Sequence, residues 1–226
     1  MVYAIGEILL VVIGILIALQ INNWSEADKD AIKEIHYLKS LRVDLEANQK
    51  ELERVIAISN STISAADSLL NIAVGGISDV NTMQTASLVF RTIDASTFIN
   101  KNATIKELLA TGDLKTIAHD YLRSSIANWD AEINGILSYE TPNTDNALEH
   151  AKIVLKYIDV YRGYLNQPQV TDAMLLNLFN DRDYLNSLSG RIFMPNNLME
   201  RYQAQKVKTD TLLQLIEEEL AKKDRG

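Results

Sequence analysis

The sequence predicts an all-α protein, with a single N-terminal transmembrane helix followed by an antiparallel helical bundle with long helices. Three observations predict it. The chain opens on a run of apolar residues long enough to cross a bilayer. Beyond that run, apolar residues recur at spacings of three, four and seven, the period of a helix with one buried face. Nine glycines and three prolines are few for 226 residues, whereas all-β chains need many turn residues. Two segments follow, residues 1–24 as an anchor and residues 25–226 as one helical-bundle domain.

Composition excludes several classes. With 47% hydrophobic and 23% charged residues, the chain can bury a sizeable core and is not disordered. A formal net charge of −8, with no basic cluster longer than Lys222-Lys223, gives no footprint for nucleic acid. No cysteine is present, which removes disulfides, thiolate nucleophiles and cysteine metal sites together.

The anchor comes first. Ile8, Leu9, Leu10, Val11, Val12, Ile13, Gly14, Ile15, Leu16, Ile17, Ala18 and Leu19 form a stretch with no polar side chain, flanked by Glu7 and Gln20. At ~1.5 Å per residue, some twenty helical residues cover the ~30 Å hydrocarbon core of a bilayer. Trp24 stands where an interfacial aromatic is expected. Neither a basic n-region nor a small-x-small cleavage site marks a signal peptide, so the segment is expected to be retained. Gly14 and Ala18 make a small-x-x-x-small pair that would let a second helix approach.

In the bundle, Ser25 and Asp28 resemble a capping box that opens a long helix. Its stripe is Ile32, Ile35, Leu38, Leu41, Leu45, Leu52, Val55, Ile56 and Ile63, expected to be a bundle core rather than an exposed coiled-coil seam. Gly75-Gly76 ends it. A short helix follows over about 80–93. Thr104 and Glu107 then form a second capping box around Lys106, and Gly112 is expected to be left-handed, with Asp113 capping a helix that carries Leu114 to Leu137. This corner is expected to be a structural elbow, with an anion- or partner-binding corner as the alternative. Pro142 and Pro168 bracket a helix over about 145–165, and another runs over 171–189. Pro195 opens the last, since proline suits a first helical position. Trp129, Tyr157 and Tyr161 are candidates for a ligand-lining stripe, although such aromatics more often edge a core.

The run from Tyr3-Ala4-Ile5-Gly6-Glu7 through Gln20-Ile21-Asn22-Asn23-Trp24 closely resembles the opening of a bacterial family, domain of unknown function (DUF) family 6090. Phe98, Thr104, Glu107, Leu108, Gly112, Leu114, Ile117, Leu122 and Arg123 resemble its central motif, and Asn180 to Asn186 a later one. The resemblance implies a single-pass inner-membrane protein whose helical domain faces the periplasm, with no assigned activity. Members usually carry a basic segment before the apolar run, and this sequence begins at Met1-Val2-Tyr3. Its own charges near the anchor, Lys29, Lys33, Lys39 and Arg42, all follow it and by themselves would hold the domain inside. A basic leader ahead of an internal or truncated start reverses that bias, and the periplasmic orientation is the expectation.

Catalytic chemistry finds no constellation. His36, His119 and His150 are far apart and without metal-ligand spacing, so neither metal nor cofactor is expected. Asp181 and Asp183, two apart on a helix, would point to different sides. No nucleophile elbow or phosphate loop occurs, so the chain is expected not to be an enzyme. The partners expected are the lipid bilayer and either another envelope protein or a second copy of the chain, with the bundle serving interaction or scaffolding. A sensor-like module binding a small ligand between helices is the alternative.

Overall fold

The computed structural model describes residues 2–76, 81–95, 97–167 and 169–223, without the side chains of residues 2–9, 11 and 164. Six α-helices are described: α1 Val2–Gly75, α2 Thr82–Ile93, α3 Ala103–Thr111, α4 Asp120–Val154, α5 Asp172–Asn180 and α6 Arg182–Lys223. Short 3-10 turns occupy Asp113–Thr116 and Val160–Leu165. The all-α prediction holds, with no strand among the described residues.

The chain divides into two compact units, residues 1–45, 102–128 and 212–226 in the first and residues 46–101 and 129–211 in the second. The boundaries fall inside α1, α4 and α6, so each long helix contributes to both. In the first unit Tyr37, Leu38, Leu41 and Leu45 of α1 are buried, as are Ile105, Leu108, Ile117, Leu122, Ile126, Leu212 and Ile216. Glu34 pairs with Lys223 at 2.6 Å and Arg42 with Glu217 at 3.1 Å, so α1 and the end of α6 run antiparallel there. In the second unit Ala66, Leu69, Val89, Val154, Leu175, Leu178, Phe179, Tyr184 and Leu188 form one apolar cluster. Glu132 pairs with Lys208, Tyr202 donates to Glu140, and His150 meets Ser187, so α4 and α6 are antiparallel too.

Several boundaries differ from the sequence reading. No helix starts at Ser25: α1 passes through residues 24 and 25 without a break, because residues 15–74 contain neither glycine nor proline to stop it. Its stripe is buried at Leu38, Leu41, Leu45, Leu52 and Val55, but Ile32 is exposed. Gly76, at φ +92°, ends the helix as expected. Pro142 and Pro195 lie inside α4 and α6 rather than at helix ends. A proline inside a helix removes one hydrogen bond, a cost of about 3 kcal/mol that packing on a long helix can offset. The tyrosines therefore do not share a helix, since α4 ends at Val154 and Asp159 caps a 3-10 turn by accepting from the Tyr161 amide at 3.1 Å. Asp181 opens α6, accepting from the amides of Asp183 at 2.7 Å and Tyr184 at 3.3 Å.

Among the described residues no helix is long and apolar enough to cross a membrane. Of the expected anchor, the side chains of Ile8, Leu9 and Val11 lie outside those described. Leu10, Val12, Ile13, Ile15, Leu16, Ile17, Leu19 and Trp24 are all exposed, and nothing stands within 4 Å of where a Cβ on Gly14 would lie.

The corner at Gly112 is built differently from its sequence signature. Gly112 is left-handed, at φ +74°. Thr104 is not the cap, since α3 has Asn102 at its N-cap position and the Thr104 amide donates to Asp44 Oδ2 of α1 at 2.9 Å. The capping carboxylate thus comes from a residue sixty positions away, which no local pattern reveals. Asp44→Ala is accordingly expected to lower stability by about 1 kcal/mol through the lost cap and Thr104→Ala by less, while Gly112→Val costs more than ~1 kcal/mol because a β-branched residue resists positive φ. Urea melts of the three variants measure this, and an Asp44→Ala loss smaller than that of Thr104→Ala would contradict it.

Candidate functional site

Asp113 and the helix ends of the sequence-predicted corner take their partners from its own unit. Asp113 does not cap the next helix. Lys33 Nζ donates to its Oδ1 at 2.6 Å and Tyr37 Oη to its Oδ2 at 2.8 Å. The Lys33 bond first, then the Tyr37 bond, hold the Asp113 carboxyl down at about 2. Glu34 Oε1 accepts from the Ala118 amide at 2.7 Å, and His119 Nδ1 receives the Leu122 amide at 3.3 Å at the start of α4. Arg123 Nη1 donates to the Ile117 carbonyl at 2.7 Å. Lys106 and Glu107 are exposed on α3. Side chains thus already stand at the helix ends where an anion would otherwise sit.

The aromatic stripe is not assembled. Trp129 is buried and donates through Nε1 to Asn100 Oδ1 at 3.1 Å. Tyr157 donates to Asp181 Oδ2 at 2.7 Å, and Tyr161 is exposed on the 3-10 turn.

What the structure does assemble, and the sequence did not announce, is a polar collar in the second unit around residues 94–101. Its described residues, 94–95 and 97–101, lie between α2 and α3 outside any helix. Asn48 of α1, fully buried, donates through Nδ2 to the Lys101 carbonyl and accepts at Oδ1 from the Lys101 amide, both at 2.7 Å. One turn on, Glu51 accepts from the Ile99 amide at 3.2 Å, and Arg54 donates to the Thr97 carbonyl at 3.0 Å while pairing with Glu51. That pair lowers the Glu51 carboxyl below its ordinary value. Glu140 Oε1 of α4 accepts from the Phe98 amide at 2.7 Å and from Tyr202 Oη of α6 at 2.6 Å. Arg191 of α6 donates to the Asp94 carbonyl at 2.6 Å and the Thr92 carbonyl at 2.9 Å.

Arg191 is 1% exposed. Its third partner is Asn143, reached at 3.3 Å, and burial draws the guanidinium down to about 10. Beside it, His150 lies between Thr92 Oγ1 at 2.9 Å and Ser187 Oγ at 2.8 Å, with its ring stacked on Tyr184. Burial, then the Arg191 charge, push His150 down to about 4, so the imidazole is neutral near pH 7. A neutral ring donates through one nitrogen and accepts through the other. One of the two hydroxyls must therefore give its proton to the ring rather than to the helix carbonyl it also contacts. Among the described residues, no group of three or more His, Asp and Glu side chains could hold a metal ion.

The sequence signal for the collar was faint: Asn48, Glu51 and Arg54 stand among the buried positions Leu45, Leu52 and Val55 of α1. Phe98, among the residues that carry the family resemblance, is buried in the collared segment.

A family model described as a family of unknown function (DUF6090) matches residues 7–180. The match takes in the collar on α1 and α4 and the elbow, and it stops at the end of α5, so the expected later motif lies beyond it except for Asn180. No curated protein and no solved structure matches the chain.

Arg191→Lys is expected to destabilise the fold by about 2 kcal/mol, because a compact ammonium cannot serve three diverging carbonyl partners; chemical denaturation measures it, and a loss within ~0.5 kcal/mol would refute the role given to the fork. His150 generates a pH dependence. Its folded value lies below the unfolded 6.5, so the unfolded chain binds the extra proton and stability falls as pH drops from about 6.5 towards about 4. Denaturation midpoints at pH 7 and pH 5 should show this fall, and His150→Gln should flatten it.

Proposed function

Because the chain belongs to the DUF6090 family of unknown function, a membership that carries no activity, we propose from its own residues that it is a single-pass membrane protein of the bacterial envelope. Its helical domain serves protein–protein interaction or scaffolding and catalyses no reaction of its own.

One observation carries the reading. Leu10, Val12, Ile13, Ile15, Leu16, Ile17, Leu19 and Ile21 project from the start of α1 with exposures of 44–71%. Ile15, Leu16 and Ile17 are consecutive, and at 3.6 residues per turn they point to different sides. A partner helix would cover one stripe, whereas an all-round apolar helix needs an apolar solvent on every side. A bilayer supplies that, and Trp24, 73% exposed, sits at the polar end where an aromatic anchors at the interface. The helical backbone has no edge or loop to satisfy in lipid. Orientation follows the family resemblance, with the domain periplasmic. Another envelope protein or a second copy of the chain is the partner, and the open face at Gly14 and Ala18 is a route for self-association.

The full chain is expected to pellet with membranes and resist alkaline carbonate, and removal of residues 1–24 to release a soluble domain. Because the chain has no cysteine, Glu149→Cys on the exposed side of α4 offers a single thiol, which should react with an impermeant maleimide in intact spheroplasts. Carbonate release of the full chain would refute the anchor, and labelling only after lysis would reverse the orientation.

A further inference from the structure

The apolar core of the second unit is interrupted at one level on all three of its long helices. On α1 no apolar side chain larger than alanine is buried between Val55 and Leu69, and on α4 none between Ile136 and Val154. On α6 the buried apolar residue between Leu188 and Leu198 is Pro195. Polar side chains are buried there instead, Ser59 and Thr62 on α1, Asn143 and His150 on α4 and Arg191 on α6.

Hydrogen bonds place these stretches side by side. Arg91, near the end of α2, donates to the Ser61 hydroxyl at 2.8 Å and to the Ser61 carbonyl at 2.9 Å, and its own carbonyl accepts from Thr62 at 3.2 Å. The next residue, Thr92, meets both Arg191 and His150, and Arg191 reaches Asn143. Pro142 adjoins Asn143 and Pro195 follows Arg191 by one turn, so the prolines inside α4 and α6 fall at the same level of the unit.

Each proline takes one backbone hydrogen bond out of its helix, and sharp helix bends occur almost always at such points. Two packed helices can bend together only if both yield at one level, and here they do. Between them the Asn146 amide nitrogen stands 2.7 Å from where a Cβ on Gly190 would lie, so α4 and α6 touch closely beside the prolines. Although α1 crosses the level unbroken, Ser59, Thr62, Ala65 and Ala66 offer little of the interlocking that stiffens a core of large side chains. The apolar cluster of Leu69, Val89, Val154, Tyr184 and Leu188 lies on one side of the polar band, and the collar residues Asn48, Glu51, Glu140 and Tyr202 lie on the other. We propose that this band is a hinge. The apolar cluster, with α2 and α5, turns as one body against the collar, bending α4 at Pro142 and α6 at Pro195 about the contact of Gly190 with Asn146.

Because the chain has no cysteine, pairs of spin labels can be placed in the detergent-solubilised full chain and their separation read by pulsed electron spin resonance. Asn186→Cys with Val207→Cys marks exposed sites of α6 on either side of Pro195. On a straight helix these sites stand about 31 Å apart, at ~1.5 Å per residue. Met83→Cys with Asn186→Cys marks two exposed sites on the apolar-cluster side alone. The first pair is expected to give a broad or two-peaked distribution extending to shorter distances, and the second a single narrow peak. Combining Pro142→Ala with Pro195→Ala returns both missing amide donors, which should collapse the first distribution to one narrow peak and leave the second unchanged. A first pair as narrow as the second, equal breadth in both pairs, or a first distribution still broad in the folded double variant would each overturn the hinge. Should the double variant fail to fold, the comparison of the two pairs in the unaltered helices decides. All of these readings lie within the second unit and are independent of whether the chain is membrane-anchored.

Discussion

A backbone outside any helix, held against helices, must find partners for its amides and carbonyls, and the second unit is organised around meeting that demand for residues 94–101. Helices offer none of their own backbone groups sideways, because their amides and carbonyls are consumed along the axis. The partners must come from long polar side chains. Asn48, Glu51 and Arg54 supply them from α1, Glu140 from α4 and Arg191 from α6. Asn48 answers both the amide and the carbonyl of Lys101, so one amide side chain does for a single residue what a neighbouring strand does in a sheet.

These partners carry a penalty of their own. Glu140 and Arg191 are almost wholly buried, and neither forms an ion pair with the other. Desolvating a charge is expensive unless hydrogen bonds surround it. Arg191 meets the condition with carbonyl and amide oxygens at four contacts. Glu140 meets it at one oxygen only, with Oε1 taking two donors and Oε2 none. His150 follows the same rule from the other direction: enclosed beside a guanidinium, it takes the uncharged form and is satisfied by two hydroxyls.

Along α1 one helix faces two different demands. Between Leu10 and Ile21 its described apolar side chains point every way and are exposed. From Tyr37 onward the pattern becomes one-sided, with Leu38, Leu41 and Leu45 buried and Lys39, Glu46 and Lys50 exposed. Backbone geometry is the same across the change, and only the distribution of apolar side chains around the axis alters. That is why a pattern of hydrophobicity, rather than a cap or a break, is the mark separating the two parts.

The all-α class was legible from the periodicity and the scarcity of turn residues, and the ends at Gly75-Gly76 and Gly112 were legible because positive φ favours glycine. The helical run of apolar residues before Trp24 was equally plain, as its signal lies in consecutive residues. Local signals misled at Ser25, Thr104, Pro142 and Pro195. Each resembles a helix terminus in its immediate neighbours, yet Ser25 lies within an unbroken α1, and Pro142 and Pro195 lie inside α4 and α6, where packing on a long helix offsets the roughly 3 kcal/mol that an internal proline costs. Tertiary structure alone decided what caps α3, because Asp44 is sixty residues from the amide it serves. It also decided that Trp129, Tyr157 and Tyr161 do not share a face. The collar was beyond local reading for the same reason: Asn48, Glu51, Arg54, Glu140 and Arg191 are ordinary polar residues in sequence, and only the packing of three long helices brings them onto one stretch of backbone.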